Sequence, residues 1–169
     1  MAKKIVMIMG SDFAASTIVG CVLGSTEKFG ETFHVGEYHA VCKKGIPRVN
    51  PDKRIKDLEN DTWQAILNAE GGTYQRVFNA LENCKVIVDS SKHVKWFRQR
   101  MSEIEEQGYE VCAVVCWKEY EKLIKSCEKR GIKEPQQRAM INTQNVEECV
   151  KFCRKRQIPY ITVNADTYI

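Results

Sequence analysis

No stretch of this sequence approaches the ~18 consecutive apolar residues that cross a bilayer; the longest are IVMIM (5–9) and the mixed STIVGCVLG (16–24). The opening MAKK lacks the h-region of a secretory signal, so a cytoplasmic protein with no membrane partner is expected. Cysteine is plentiful, at eight residues, but no C-x-x-C pair occurs. Cys149 and Cys153 lie one helical turn apart without a second pair to complete a ligand set, so buried or free thiols and no metal are expected. An excess of one charge is also missing: 26 basic residues face 22 acidic ones for a net +4, which favours anionic ligands weakly and points to no nucleic-acid partner. The strongest basic run, KFCRKRQ (151–157), reads as a solvated helix face. There is no internal repeat and no low-complexity tract. What remains is an ordinary globular composition, 43% hydrophobic and 28% charged over 169 residues, consistent with one domain spanning 1–169.

Short β-branched or apolar runs bounded by turn residues predict strands at KIVMIM (4–9), FHV (33–35), KVIVD (85–89), EVCAVVC (110–116) and PYITV (159–163). Helical patterns separate them, at 16–24, 62–69, 73–83, 94–108, 120–129 and 146–156. Near-continuous apolar strands alternating with helices predict an α/β three-layer sandwich around a mostly parallel sheet of 4–5 strands. The polar segment 40–61, with two prolines and no clear period, reads as a long loop or lid. In such sheets ligands bind at the carboxyl ends of the strands. The segments to inspect are therefore GSDFAAST (10–17), GEYH (36–39), SSKH (90–93) and WKEY (117–120).

The first of these loops has an absence of its own. An ordinary phosphate-binding loop, G-x-x-x-x-G-K-[ST], cradles phosphates with backbone N–H groups, reaches the transferred group with a Lys and holds Mg²⁺ with a hydroxyl. Here Ala15 stands where that Lys belongs, which argues against a Mg²⁺-dependent kinase. What survives needs no charged side chain: successive loop amides and the N-terminus of a helix near Ser16.

GSDFAASTIVGCVLGS followed by FHVGEYH resembles the 5′-phosphosulfate loop of P-loop-fold sulfotransferases, and KVIVDSSKHVKWFRQRM resembles that family's strand ending in V-D-S-S-K-H. EVCAVVCWKEYEKLIKSCEKRG stands where the family has a strand ending in V-R-D-P and a Ser-bearing helix. The resemblance runs through nearly the whole chain in the same order. It implies a P-loop NTPase-like fold, the donor PAPS (3′-phosphoadenosine 5′-phosphosulfate), no metal, and a small-molecule or peptide acceptor. It implies that Ser11, Asp12, Phe13, Ala14, Ala15, Ser16 and Thr17 form the donor loop, that Glu37 is the base taking the acceptor proton, and that Lys92 bridges the leaving phosphate and supplies the charge the loop lacks. His93 is the alternative base, since an imidazole titrates near neutrality. Cys116 replaces the Arg of V-R-D-P, leaving Lys118 or Lys122, with Ser126, to meet the 3′-phosphate. Phe13 replaces the loop Arg, and Ala14 and Ala15 replace Ser-Gly, so the loop is expected to take a different path. Two other readings stay open: a non-catalytic nucleotide- or phosphate-binding module, and a small-molecule or nucleotide kinase.

Overall fold

The computed structural model describes residues 2–14, 16–24, 31–39, 42 and 60–167; Ala15, most of segment 40–61 and the side chain of Thr17 lie outside that set. Five strands form one all-parallel sheet: β1 (Lys4–Gly10), β2 (Thr32–Gly36), β3 (Val86–Lys92), β4 (Glu110–Trp117) and β5 (Tyr160–Asn164), ordered β2-β3-β1-β4-β5. The described helices are α1 (Ser16–Gly24), α2 (Asn60–Asn68), α3 (Thr73–Ala80), α4 (Val94–Arg98), α5 (Met101–Glu106), α6 (Tyr120–Glu128) and α7 (Pro135–Lys155). The class is therefore the α/β sandwich that the alternating pattern predicts.

The alternation of side chains along the central strands divides the core in two. Ile5, Met7 and Met9 of β1 share one face with Ile87, Ala113 and Val115, and there they meet Val77, Phe97, Ile104, Cys149 and Phe152 from the helices. Ile8, Val88, Val114 and Cys116 point to the other face, packed against Ala14, Val19 and Leu23 at the start of the chain. Both faces of β1 and β4 are thus sealed, which is why those strands read as unbroken apolar runs.

Two expected helices have different bounds. The pattern over 94–108 breaks into α4 and α5, with Gln99 capping the first and Arg100 preceding the second. The helix expected at 146–156 begins eleven residues earlier, at Pro135, directly after the N-cap Glu134; a Pro there fits because the first helical N–H has no partner to lose. Its upstream half was obscure because small or polar residues, Ala139 and Asn142, occupy its buried positions. Helix α3 has a glycine N-cap, and its first amides are met by a carboxylate from α5: Glu103 accepts from the N–H groups of Thr73 at 2.8 Å, Tyr74 at 2.6 Å and Gln75 at 3.2 Å.

Helix α1 packs closely on β2 because Gly20 has no side chain; a Cβ there would lie 2.4 Å from Nε2 of His34. The same ring nitrogen lies 3.1 Å from Ser90 Oγ. Burial pushes the His34 imidazole down to about 4, so it folds neutral. Because the folded value lies below the ordinary one near 6.5, this stability is present above pH 6.5 and is lost as pH falls from there through about 4. Denaturant unfolding as a function of pH should show a loss of order 3 kcal/mol across that window. In His34→Gln the slope should be visibly shallower, and an unchanged slope would remove His34 from the account.

Candidate functional site

The loop after β1 is built around a backbone collision avoided. Gly10 has φ +115°, and a Cβ on it would sit 2.0 Å from the carbonyl oxygen of Cys116 on the neighbouring strand. That carbonyl accepts the N–H of Ser11 at 3.0 Å. Only glycine lets β1 turn this tightly against the end of β4. Ser11, Ala14 and Ser16 then turn inward, being 0%, 0% and 3% exposed, which leaves Asp12 and Phe13 as the described loop side chains partly open to solvent. Phe13 itself adopts φ 65°. A bulky residue thus occupies the left-handed region, an uncommon conformation that surrounding contacts must hold.

Those contacts come from α7 and from the turn that precedes it. Asn142, 3% exposed, accepts the N–H of Asp12 through Oδ1 at 3.0 Å. Asn145 donates through Nδ2 to the carbonyl of Gly10 and, at 3.5 Å, to that of Lys92. Arg138 forms an ion pair with the Asp12 carboxylate. The Arg130 guanidinium lies over the Phe13 ring, 4.5 Å from its centroid, and donates to the carbonyl of Ser126 at 3.1 Å. Arg138, Asn142 and Asn145 are spaced four and three apart, so one face of one helix grips the loop. Sequence reasoning missed all four residues; Glu-Pro at 134–135 followed by this polar spacing was the available signal.

Lys92 arrives from the other side. Strand β3 carries an extra residue between its pairings to β1: Met7 pairs with Asp89, but Met9 pairs with Lys92. Just before Lys92, the fully buried Asp89 carboxylate accepts from Tyr74 Oη at 2.7 Å, Trp96 Nε1 at 2.8 Å, Ser91 N at 2.9 Å and Ser91 Oγ at 2.5 Å. Burial pushes the Asp89 carboxyl upward, and these four donors pull it back toward the ionised form. The irregularity leaves Lys92 with φ 65° and only 15% of its side chain exposed. Its ammonium is hydrogen-bonded to Glu37, just beyond β2, and lies 4.0 Å from Asp12 Oδ1. A cation beside the start of a helix opposes the helix dipole. Here the opposition is met by the protein's own carboxylates.

The expected residues therefore divide. Asp12, Glu37 and Lys92 converge where the ends of β1, β2 and β3 meet. His93 is the exposed N-cap of α4, its ring 6.0 Å from that of His39. Cys116, where the resemblance would have an Arg, is wholly buried, its thiol pushed up to about 12. Lys118 and Lys122 are held by Asp166 after β5, each at 3.6 Å. Ser126 is buried on α6. Of the loop amides expected to face an anion, that of Asp12 is already bonded to Asn142. The described cations around the loop are Lys92, Arg138 and Arg130, set against the carboxylates of Asp12 and Glu37.

A solved structure from Chloroflexus aurantiacus J-10-fl, described as a "putative kinase", is similar to this chain with a TM-score of 0.50 and 12% sequence identity, over 99% of this chain and 89% of that one. The likeness is one of fold. It supports a P-loop-like α/β architecture. No protein-family model and no curated protein matches the sequence. Among the described residues no helix is long and apolar enough to cross a membrane.

Because the loop depends on the Gly10 crossing, Gly10→Ala is expected to destabilise the protein by more than about 1 kcal/mol. For a chain of this size that lowers the thermal midpoint by at least roughly 2–4 °C. A wild-type midpoint would show that β4 yields at Cys116.

Proposed function

We propose that the protein is a group-transfer protein of the sulfotransferase type, holding the 5′-phosphosulfate end of PAPS over loop 10–17 and moving its sulfuryl group to a hydroxyl or amine of a small-molecule or peptide acceptor. One observation carries the reading: Lys92, bonded to Glu37 and 4.0 Å from Asp12, sits at the carboxyl edge of the sheet beside a loop without a cation of its own. Sulfuryl transfer needs charge stabilisation on the leaving phosphate and a base for the acceptor proton. In the proposed reaction the acceptor oxygen or nitrogen bonds to sulfur as the bond from sulfur to the bridging phosphate oxygen breaks. The acceptor proton passes to Glu37, and the charge left on the phosphate is met by Lys92.

The residues present fit an anion. Asn142 Nδ2 is buried without a hydrogen-bond partner, while Oδ1 of the same amide is fixed by the Asp12 N–H. Such a donor, on the side chain that holds the loop amide, would be satisfied by an anionic oxygen or by a water. Arg138 and Arg130 add the charge that the loop sequence omits. Glu37, with 39% of its side chain exposed, remains reachable by an acceptor.

The non-catalytic binding module is favoured by a separate observation: Asp12 and Glu37 already engage Lys92 and Arg138, so the cations are balanced without any reaction. Thermal shift with adenosine 3′,5′-bisphosphate separates the readings. Ligand at about 100 times its Kd adds ~2.7 kcal/mol, or roughly 5–10 °C here, and Lys92→Ala is expected to abolish that rise. Glu37→Gln should keep the rise and lose about 10²–10⁴ of radiolabelled sulfuryl transfer; parallel loss of both would make Glu37 a structural residue. A rise without any transfer by the wild type would establish the module. A rise with Mg²⁺ and ATP but none with the bisphosphate would put a kinase in its place.

A further inference from the structure

The basic run at 151–157 is not absorbed by the loop site. Lys151 and Lys155 lie on α7 one helical turn apart, their Cβ atoms about 6 Å from each other on one face. They line a cleft of about 650 Å³ together with Arg98 of α4, Arg156 just past α7, and Phe152. A volume of that size is typical of small-molecule sites. Phe152 is 4% exposed and forms an apolar floor, with the Arg98 guanidinium 6.0 Å from its ring centroid.

The carboxylates facing this cleft are fewer than the cations. Glu148 pairs with Arg98 at 3.0 Å and with Lys151 at 3.6 Å, and Glu105 pairs with Arg156 at 3.0 Å. Lys155 has no carboxylate partner among the described residues. Four cations thus meet two carboxylates. The paired side chains are roughly half exposed or more, at 51% for Arg98, 68% for Lys151 and 47% for Arg156. Ion pairs of that kind are worth about 0–1 kcal/mol each, so an incoming anion displaces them at little cost. Basic residues in a last helical turn complement the dipole, which accounts for Arg154 and Lys155. Arg98 likewise ends its own helix, α4, but it reaches the same concave floor from that other element. Lys151 and Lys155 stand six and ten residues beyond Asn145, about 9 and 15 Å further along α7, away from the loop.

We infer that the cleft between α4 and the C-terminal half of α7 is a second anion-binding site, taking a small ligand that carries a chain of at least two directly linked phosphate groups, which adenosine 3′,5′-bisphosphate, with its phosphates on separate ribose positions, does not. Two groups suit cations arrayed a helical turn apart, with Arg98 and Arg156 closing the ends. The site stands independently of the reaction at the loop.

Inorganic tripolyphosphate serves as the probe, titrated calorimetrically into the full chain at about 0.15 M salt, where loose pairing with exposed lysines is screened. The Lys151→Glu/Lys155→Glu double variant is expected to lose at least about tenfold in affinity, while its thermal response to adenosine 3′,5′-bisphosphate equals that of the wild type. Lys92→Ala, whose side chain engages Glu37 and Asp12 rather than the cleft residues, should retain tripolyphosphate binding in the cleft. If circular dichroism shows the charge-reversed protein unfolded, Lys151→Gln/Lys155→Gln takes its place, with a loss of about threefold or more expected. Wild-type affinity in the lysine variants, no binding to the wild type at millimolar probe, or loss of all binding in Lys92→Ala would each overturn the assignment.

Discussion

The Asp89 carboxylate ties together the end of β3 and the helices beside it. It is fully buried, and its cost of desolvation is met by donors from three directions: Tyr74 on α3, Trp96 on α4, and the backbone and hydroxyl of Ser91 within its own strand. Removing one partner from such a network leaves buried groups unmatched. The arrangement therefore holds two helices and the strand end in one position. It also sets the local irregularity of β3, because Ser91 must fold back toward Asp89 before the chain reaches Lys92. The left-handed conformation of Lys92 follows from that constraint, and with it the approach of its ammonium to Glu37 and Asp12.

A loop without a cation is thus supplied with charge from elsewhere. Lys92 comes from a strand end roughly eighty residues away, and Arg130 and Arg138 from beyond residue 128. The strained backbone follows the same logic: Phe13 and Lys92 both occupy the left-handed region, and each is held by a polar or aromatic contact at the carboxyl edge of the sheet. Strain of this kind persists where surrounding structure over-determines it. Here the surroundings are α7 for the one and the Asp89 network for the other.

How much of this was legible in the sequence depended on whether a residue's role was encoded locally. The strands were legible because central parallel strands are buried on both faces and so read as apolar runs. The convergence of Glu37 and Lys92 was legible because both stand just at strand ends, where topology alone brings residues together. The upstream half of α7 was not, since its buried positions are Ala139 and Asn142 and give no apolar stripe. Arg138 and Asn145 went unseen with it. The break between α4 and α5 was hidden for the opposite reason: the apolar period passes through Gln99 and Arg100 without interruption, while the backbone does not. Nor could the sequence show that Phe13, rather than Ala14, takes the positive φ, because Phe13 is met by Arg130 arriving from more than a hundred residues away.

The two asparagines of α7 have an implication for the loop as a unit of inheritance. Asn142 fixes the amide of Asp12, and Asn145 fixes the carbonyl of Gly10, so the segment GSDFAAST does not hold its shape from within. It is a half-made part, completed by a helix some 130 residues downstream. Grafted alone onto another sheet it would lose both the backbone path and the positive charge. A motif search keyed to the loop alone reads only one side of what is, physically, a two-sided object.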